Sequence, residues 1–373
     1  MIEDIGAVPS GGALLLLRGD YLYDGRVLTN LVKSAHVVLR VGVAEREEIV
    51  GVHVPAALGS AAKAVVEGRR PVETLEGVRL VTPETLASTF DEFLLKSDPP
   101  TVECITRERQ AQLEAKLFSG SYKGVTDLVT KWVWPRPAKW ITRQCVGLGV
   151  TPNQVTALSL VLAIAAGALF AFGHFGWGLL AGWVMTFLDT VDGKLARVTV
   201  TSSRFGHVLD KNLDLIHPPL WYIAWGVGLE EFQPGPAGVS FTLVLWLIVM
   251  GYIAGRLVEG VFLLWLGKFG IFCWRPLDSY VRLITARRNP NLILLTAGLA
   301  AGRPDLGLVA VALWTVLSSL LLVVRIAQAL YARWVGGPLR SWLADVGAAS
   351  GPPSIAVRLF THRTAQESLG RGQ

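Results

Sequence analysis

The chain has 373 residues and a formal net charge of +6; 51% of it is hydrophobic and only 17% charged, with a mean hydropathy of +0.45. That balance excludes an ordinary soluble protein and predicts insertion into a membrane. The positive excess sits mainly in the apolar half, interleaved with tryptophan, which fits anionic lipid headgroups and excludes nucleic acid as the partner of the basic patch.

Residues 1–100 alternate short apolar runs (Ala13–Leu17, His36–Val41, Ile49–Val54) with helix-compatible segments (Arg26–Ser34, Ala56–Glu67). This is the pattern of a small soluble α/β domain. No charged start followed by an apolar core and a cleavage site occurs in it, so no signal peptide is expected. Residues 101–126 read as a charged helical connector. In residues 127–150, Lys131, Arg136, Lys139 and Arg143 interleave with Trp132, Trp134 and Trp140, which predicts an interfacial amphipathic segment. Pro135 and Pro137 must break or kink it.

Residues 151–334 hold six nearly uncharged stretches: Asn153–Gly173, Trp177–Leu188, Leu215–Leu229, Phe232–Gly255, Asn289–Gly302 and Leu306–Val324. A span needs about 20 helical residues, so the shorter stretches must borrow polar flanks. The expectation is an all-α integral membrane six-helix bundle carrying the small N-terminal α/β domain. Thr151-Pro152-Asn153 looks like the start of the first span, with proline early in the helix after a capping residue. Lys194, Arg197, Arg204, Lys268, Arg275, Arg282, Arg287 and Arg288 lie in alternate connections, while the other side carries chiefly Glu230, Glu231 and Arg303 with Asp305. The positive-inside rule then places the first set, and both termini, in the cytoplasm. Residues 335–373, rich in Gly, Ser, Pro and Ala, read as a flexible cytoplasmic tail. Cys104, Cys145 and Cys273 show no paired metal spacing and are expected as free thiols.

One stretch concentrates charge inside the apolar half: Asp189-Thr-Val-Asp192-Gly193-Lys-Leu-Ala196-Arg197, then Gly206, Asp210 and Asp214. Asp189, Asp192 and Ala196 fall at i, i+3, i+7 and Gly206, Asp210 and Asp214 at i, i+4, i+8, so each set shares one helix face. Buried ionised carboxylates cost several kcal/mol each unless compensated. An oxygen-rich cluster of this kind suits hard cations, Mg²⁺ or Mn²⁺. The ordinary alternative is surface carboxylates satisfied by water or by Lys194, Arg197, Arg204 and Lys211.

The same residues match D-x2-D-G-x2-A-R-x8-G-x3-D-x3-D at every specified position, and on them the segment from about Val125 to Trp334 resembles the CDP-alcohol phosphotransferase family. The resemblance implies a six-helix membrane enzyme that moves a substituted phosphoryl group from a CDP-linked donor to an alcohol or phospho-alcohol acceptor and releases CMP. It implies two cations held by Asp189, Asp192 and Asp210, with Asp214 as general base toward the acceptor hydroxyl and also within reach of the second metal. Gly193 would admit the nucleotide closely, or else serve helix packing; Ala196 keeps that face small, Arg197 reaches the diphosphate or cytosine, and Gly206 opens the same space from the facing helix. Asn153 is either a secondary nucleotide contact or an ordinary capping residue. Family relatives often pair as homodimers.

Some relatives carry a nucleotidyltransferase domain where residues 1–100 lie, and Leu17-Arg-Gly-Asp20-Tyr-Leu-Tyr-Asp24 resembles its strand-end acidic motif. The usual Gly-rich loop is absent, so an inactive remnant or a regulatory and assembly module is expected. For the acceptor, Arg282, Arg287 and Arg288 are the candidate ligands, with positive-inside topology as the ordinary explanation of each. His207 and His217 are not assigned as metal ligands, because Pro218 and Pro219 explain that region as helix shaping. The expected reaction is transfer from CDP-diacylglycerol in phospholipid synthesis at the cytoplasmic membrane. A CDP-polyol or CDP-aminoalcohol donor with a lipid or polyol acceptor is the runner-up. A membrane divalent-cation carrier is the alternative of another class, although a cation path has no use for Gly193, Ala196 and Arg197.

Overall fold

The computed structural model describes residues 11–43, 46–201, 204–230, 232, 239–346 and 354–361; the side chains of residues 43, 46, 204–205 and 207–211 also lie outside the description. Two compact units are defined, one built on Met1–Lys116 and the other on Leu117–Asp345 with Gly351–Phe360. The division falls inside the expected connector.

The first unit holds β1 (Ala13–Leu17), β2 (Tyr21–Tyr23), α1 (Gly25–Lys33), β3 (Val37–Val43), β4 (Arg46–Pro55), α2 (Gly59–Val66), β5 (Arg79–Val81), α3 (Pro83–Leu86), β6 (Phe90–Asp91), β7 (Lys96–Ser97) and β8 (Val102–Cys104). Its main sheet runs β1-β4-β3-β5, with β5 parallel to β3 and the other pairings antiparallel. Strand alternation divides the apolar residues between two faces. Val37 and Leu39 pack with Val27 and Leu31 of α1, whereas Val38 packs with Ala62 and Val65 of α2. A shift in the β3–β4 register pairs Leu39 with Gly51 and Arg40 with Ile49, skipping Val50. This bulge lets Val50 join the α1 face while Val52 and Val54 serve the other.

The chain then forms α4 (Gln110–Gly120), a π-helical turn Val129–Val133 and α5 (Pro135–Gly147). Pro135 at the first helical position starts α5 rather than kinking it, since its missing N–H is not needed there. Gly149, at φ +69°, ends the segment. Six longer helices follow: α6 (Pro152–Ala171), α7 (Phe175–Val198), α8 (Arg204–Val227) and α9 (Phe241–Val261), then, after the short α10 (Pro276–Ile284), α11 (Arg288–Ala300) and α12 (Pro304–Gly336). The chain is mostly helical, and among the described residues three helices are long and apolar enough to cross a membrane: Pro152–Ala171, Phe241–Gly267 and Pro304–Gly336. The other three lie where further spans are expected. However, α7 and α8 carry the charged motif and α11 has only 13 residues.

Aromatic residues of α8 anchor the helical core. Trp221, Tyr222 and Trp225 are buried with Phe170, Met185, Ile248 and Leu292. The Trp221 indole donates to the Ala163 carbonyl (2.8 Å) and that of Trp225 to the Pro304 carbonyl (3.0 Å), so neither buried N–H is orphaned. Helices α11 and α12 approach at Gly298 and Gly307; a Cβ on Gly298 would stand 2.5 Å from the Gly307 Cα. Pro218 and Pro219 sit inside α8 and cannot donate to the carbonyls of Asp214 and Leu215. The Tyr252 hydroxyl of α9 donates to the Leu215 carbonyl (3.0 Å) with a longer approach to that of Asp214 (3.4 Å).

Part of the segment expected as a flexible tail is packed instead. Helix α12 continues to Gly336, and α13 (Trp342–Asp345) and α14 (Ile355–Phe360) follow. The Ser341 hydroxyl donates to the Cys273 carbonyl (2.8 Å) and the Trp342 indole to Ser279 (3.0 Å), while Leu343 and Phe360 are buried. Apolar residues spaced among the glycines and prolines drive this docking, which composition alone hides.

Candidate active site

Helix α6 opens with a reciprocal cap: Thr151 Oγ1 accepts from the Gln154 backbone (3.4 Å) and the Gln154 side chain accepts from the Thr151 N–H (2.8 Å). Capping therefore falls to Thr151 and Gln154, which leaves Asn153 exposed in the first turn. One turn on, the Thr156 hydroxyl donates to Asp192 Oδ2 (2.7 Å), tying α6 to α7. Asp192 is 5% exposed, so this donor offsets part of the cost of burying it.

Asp189, one turn earlier on α7, faces a different partner. Arg288, at the start of α11, places Nη2 2.5 Å from Asp189 Oδ2 and Nη1 2.7 Å from Asp214 Oδ1. One guanidinium thus bridges carboxylates from α7 and α8 and brings three helices to a point. The Asp214 side chain keeps 48% of its surface exposed, while Arg288 keeps 15%. Gly193 lies against Arg197: a Cβ there would meet the guanidinium nitrogens at 3.2 and 3.4 Å. Its missing side chain makes room for that cation. Ala196 and Gly206 are half-buried on the same two helices. The side chains of Asp210 and His207 lie outside the described residues.

The three candidate acceptor arginines separate. Only Arg288 reaches the carboxylates. Arg287 is paired with Glu259 of α9, which Arg256 also approaches (3.4 Å). Arg282 lies over the Phe272 ring, 5.6 Å from its centre, and acts on the charge of Asp127. Asp127 is itself buried, accepting from the Val129 and Thr130 amides, the Thr130 hydroxyl and Asn289 Nδ2. Burial pushes its carboxyl up, but the Arg282 charge with the Asn289 and Thr130 donors outweighs that and holds it below the usual carboxylate range. Thr156, Asp127, Asn289 and Glu259 are polar residues that sequence reasoning missed; only the rarity of a carboxylate or amide in an apolar stretch could have marked them.

Among the described residues no three His, Cys, Asp or Glu side chains stand close enough to hold a metal ion. The donor set nonetheless suits a hard cation, since Asp189 and Asp214 offer only carboxylate oxygens and converge on one positive group. In the first unit the two acidic positions of the suspected nucleotidyltransferase motif are otherwise engaged. Asp20 pairs with Arg18 (2.6 Å), whose hydrogen bond holds it below the usual range, and Asp24 caps α1 through the Arg26 N–H (2.8 Å) while pairing with the Arg26 side chain (2.7 Å). Both carboxylates are explained by folding.

Carboxylates from within α7 and α8 thus meet an arginine from the start of α11 in one polar cluster. Residues 149–268 match the model of the CDP-alcohol phosphatidyltransferase family, so a domain of that family is present here. A segment of the chain is 34% identical over 87 residues to phosphatidylinositol phosphate synthase of Mycobacteroides abscessus, covering 21% of this chain and 40% of that protein. Another match is 35% identical over 82 residues to archaetidylinositol phosphate synthase of Pyrococcus horikoshii, covering 21% and 42%. The chain therefore spans under half the length of these curated relatives. The crystal structure of the Mycobacterium tuberculosis phosphatidylinositol phosphate synthase with CDP-DAG bound is 22% identical over 55% of this chain and 98% of that one, at a TM-score of 0.36, too low to define a shared fold.

Proposed function

We propose that this protein is a CDP-alcohol phosphotransferase of the cytoplasmic membrane, moving a phosphatidyl group from CDP-diacylglycerol to a hydroxyl of a polyol or polyol phosphate. The observation that carries the reading is the convergence of Asp189 and Asp214, from two motif helices, on the single guanidinium of Arg288. The names of the relatives, inositol phosphate lipid synthases, favour an inositol phosphate as acceptor. A six-span bundle, with α7, α8 and α11 completing the three apolar spans and the motif facing the cytoplasm, belongs to the same proposal, as does a homodimer.

In the reaction the acceptor oxygen forms a bond to the phosphorus that bears the diacylglycerol, and the bond from that phosphorus to the bridging oxygen breaks. CMP leaves with the bridging oxygen and its electron pair. Asp214, the most accessible of the three described motif carboxylates, takes the proton from the hydroxyl. Arg288 orients Asp214 and offsets the repulsion between it and Asp189. Asp192, held by Thr156, and Asp189, with Asp210 in the same motif, would hold Mg²⁺ or Mn²⁺, which when bound supplies neutralisation of the diphosphate. Arg197, packed over Gly193, would bring a second positive charge to the nucleotide phosphates. A carrier of divalent cations gains nothing from a guanidinium bridging two of its carboxylates.

The test is release of radiolabelled CMP from CDP-diacylglycerol by the full-length protein in vesicles, with and without divalent cation. Asp214→Asn is expected to lower the rate roughly 10²- to 10⁴-fold with folded protein unchanged. Undiminished turnover in both Asp189→Asn and Asp214→Asn, or metal-driven flux without CMP, overturns the assignment.

A further inference from the structure

Just beyond the bridge lies a second polar layer that the proposed chemistry does not use. Asp214 and Arg288 pair at 2.7 Å; three residues further along each helix stand His217 on α8 and Asn291 on α11, each about one turn deeper. Both are almost fully buried, at 5% and 1% exposure. His217 Nδ1 lies 2.6 Å from the Leu213 carbonyl, which can only accept, so Nδ1 carries the proton and Nε2 presents a lone pair. Among the described residues Nε2 has no partner. The ring cannot readily swing away, because it packs edge-on to Trp221 at 4.6 Å and that indole is fixed to the Ala163 carbonyl.

Asn291 repeats the pattern. Its Nδ2 donates to the Tyr222 hydroxyl (3.0 Å), and its Oδ1 is unpartnered among the described residues. Turning the amide over exchanges the two ends but still leaves one unfilled, because Tyr222 supplies a single group. The layer adjoins the site, since His217 lies one turn from Asp214 on α8 and Asn291 one turn from Arg288 on α11. Two buried, rigidly held polar atoms without partners are costly in a folded protein and mark a place where another molecule completes them.

The geometry points to a hydroxyl-recognition subsite: His217 Nε2 and the open end of the Asn291 amide bind a hydroxyl of the acceptor other than the one that reacts, and so select polyols over simple alcohols. A hydroxyl suits both positions, as it donates to the imidazole lone pair and either accepts from or donates to the amide. This inference rests on the transferase reading above. The same chemistry could be supplied by a resident water, and the two sources differ in what they predict.

Steady-state kinetics of the full-length protein in CDP-diacylglycerol vesicles, with inositol 1-phosphate and glycerol 3-phosphate as acceptor probes, separate the outcomes. His217→Asn retains a donor for the Leu213 carbonyl and deletes Nε2. It is expected to raise the acceptor KM about ten- to a hundredfold while the CDP-diacylglycerol KM stays put. His217→Gln, whose amide reaches the Nε2 position, should recover most of this. One monodeoxy inositol phosphate should lose a similar factor against the wild type and nothing more against His217→Asn. An unmoved acceptor KM in both His217→Asn and Asn291→Leu, including the case where only thermal stability falls as for a resident water, overturns the subsite and leaves the transferase standing. Wild-type silence with both probes overturns the transferase reading and the subsite together. Should the variants not fold, the monodeoxy series on the wild type decides: equal use of every analogue overturns the subsite.

Discussion

Arg288 shows how a single side chain sets the state of the site. Its planar fork reaches one oxygen of Asp189 and one of Asp214, a geometry that a lysine ammonium on a flexible stem cannot reproduce. Arg288→Lys is expected to lower CMP release roughly 10- to 100-fold, and Arg288→Ala by more, because two carboxylates are then left facing each other; rates per mole of folded protein in vesicles check this. Thr156→Val removes the donor to Asp192 without changing shape and should weaken activity in the same assay. Asp127 adds a pH dependence. Its folded pKa is depressed, so its contribution to stability is fully present above the unfolded value of about 3.9 and is lost as pH falls from there through the folded value. Thermal unfolding of the solubilised protein at neutral pH and near pH 3 should show a loss that Asp127→Asn largely abolishes.

Among the elements, capping and close packing decide what tolerates change. Asp24→Ala removes both the cap of α1 and the pair with Arg26, and is expected to destabilise the first unit by about 1 kcal/mol in denaturant titrations while leaving CMP release unaffected. Gly298→Ala forces a methyl onto the Gly307 backbone, which cannot yield as a side chain would, so the detergent melting temperature should fall sharply. Gly260→Ala, with nothing within 4 Å, is the matched control. Local signals of this kind were legible in the sequence: the Thr151-Pro152 start of α6, the apolar runs that form β1, β3 and β4, and the helical spacing of the motif that falls on α7 and α8. The β3–β4 bulge at Val50 was not, because register depends on the partner strand. Nor was the choice of Arg288 over Arg282 and Arg287, since its contacts join residues 74 and 99 positions apart and positive-inside charge masks them.

At the level of the whole molecule, a compact α/β unit accompanies a helical unit that holds the motif carboxylates. With Asp20 and Asp24 absorbed by Arg18 and Arg26, Asp20→Asn is expected to leave phosphatidyl transfer at the wild-type rate in the vesicle assay. Three long apolar helices explain the composition, and the protein should stay in the pellet after alkaline extraction of membranes.

The proline pair in α8 has a consequence for how that helical unit works. Where an unbroken ladder would make the backbone at Asp214 rigid by itself, two rungs are missing, and a phenol from α9 stands in for them. The backbone that carries Asp214 is therefore steadied by a neighbour, so on the reading proposed above a tilt or slide of α9 would re-aim that carboxylate without any change at the motif, and Tyr252→Phe is expected to lower CMP release in the vesicle assay.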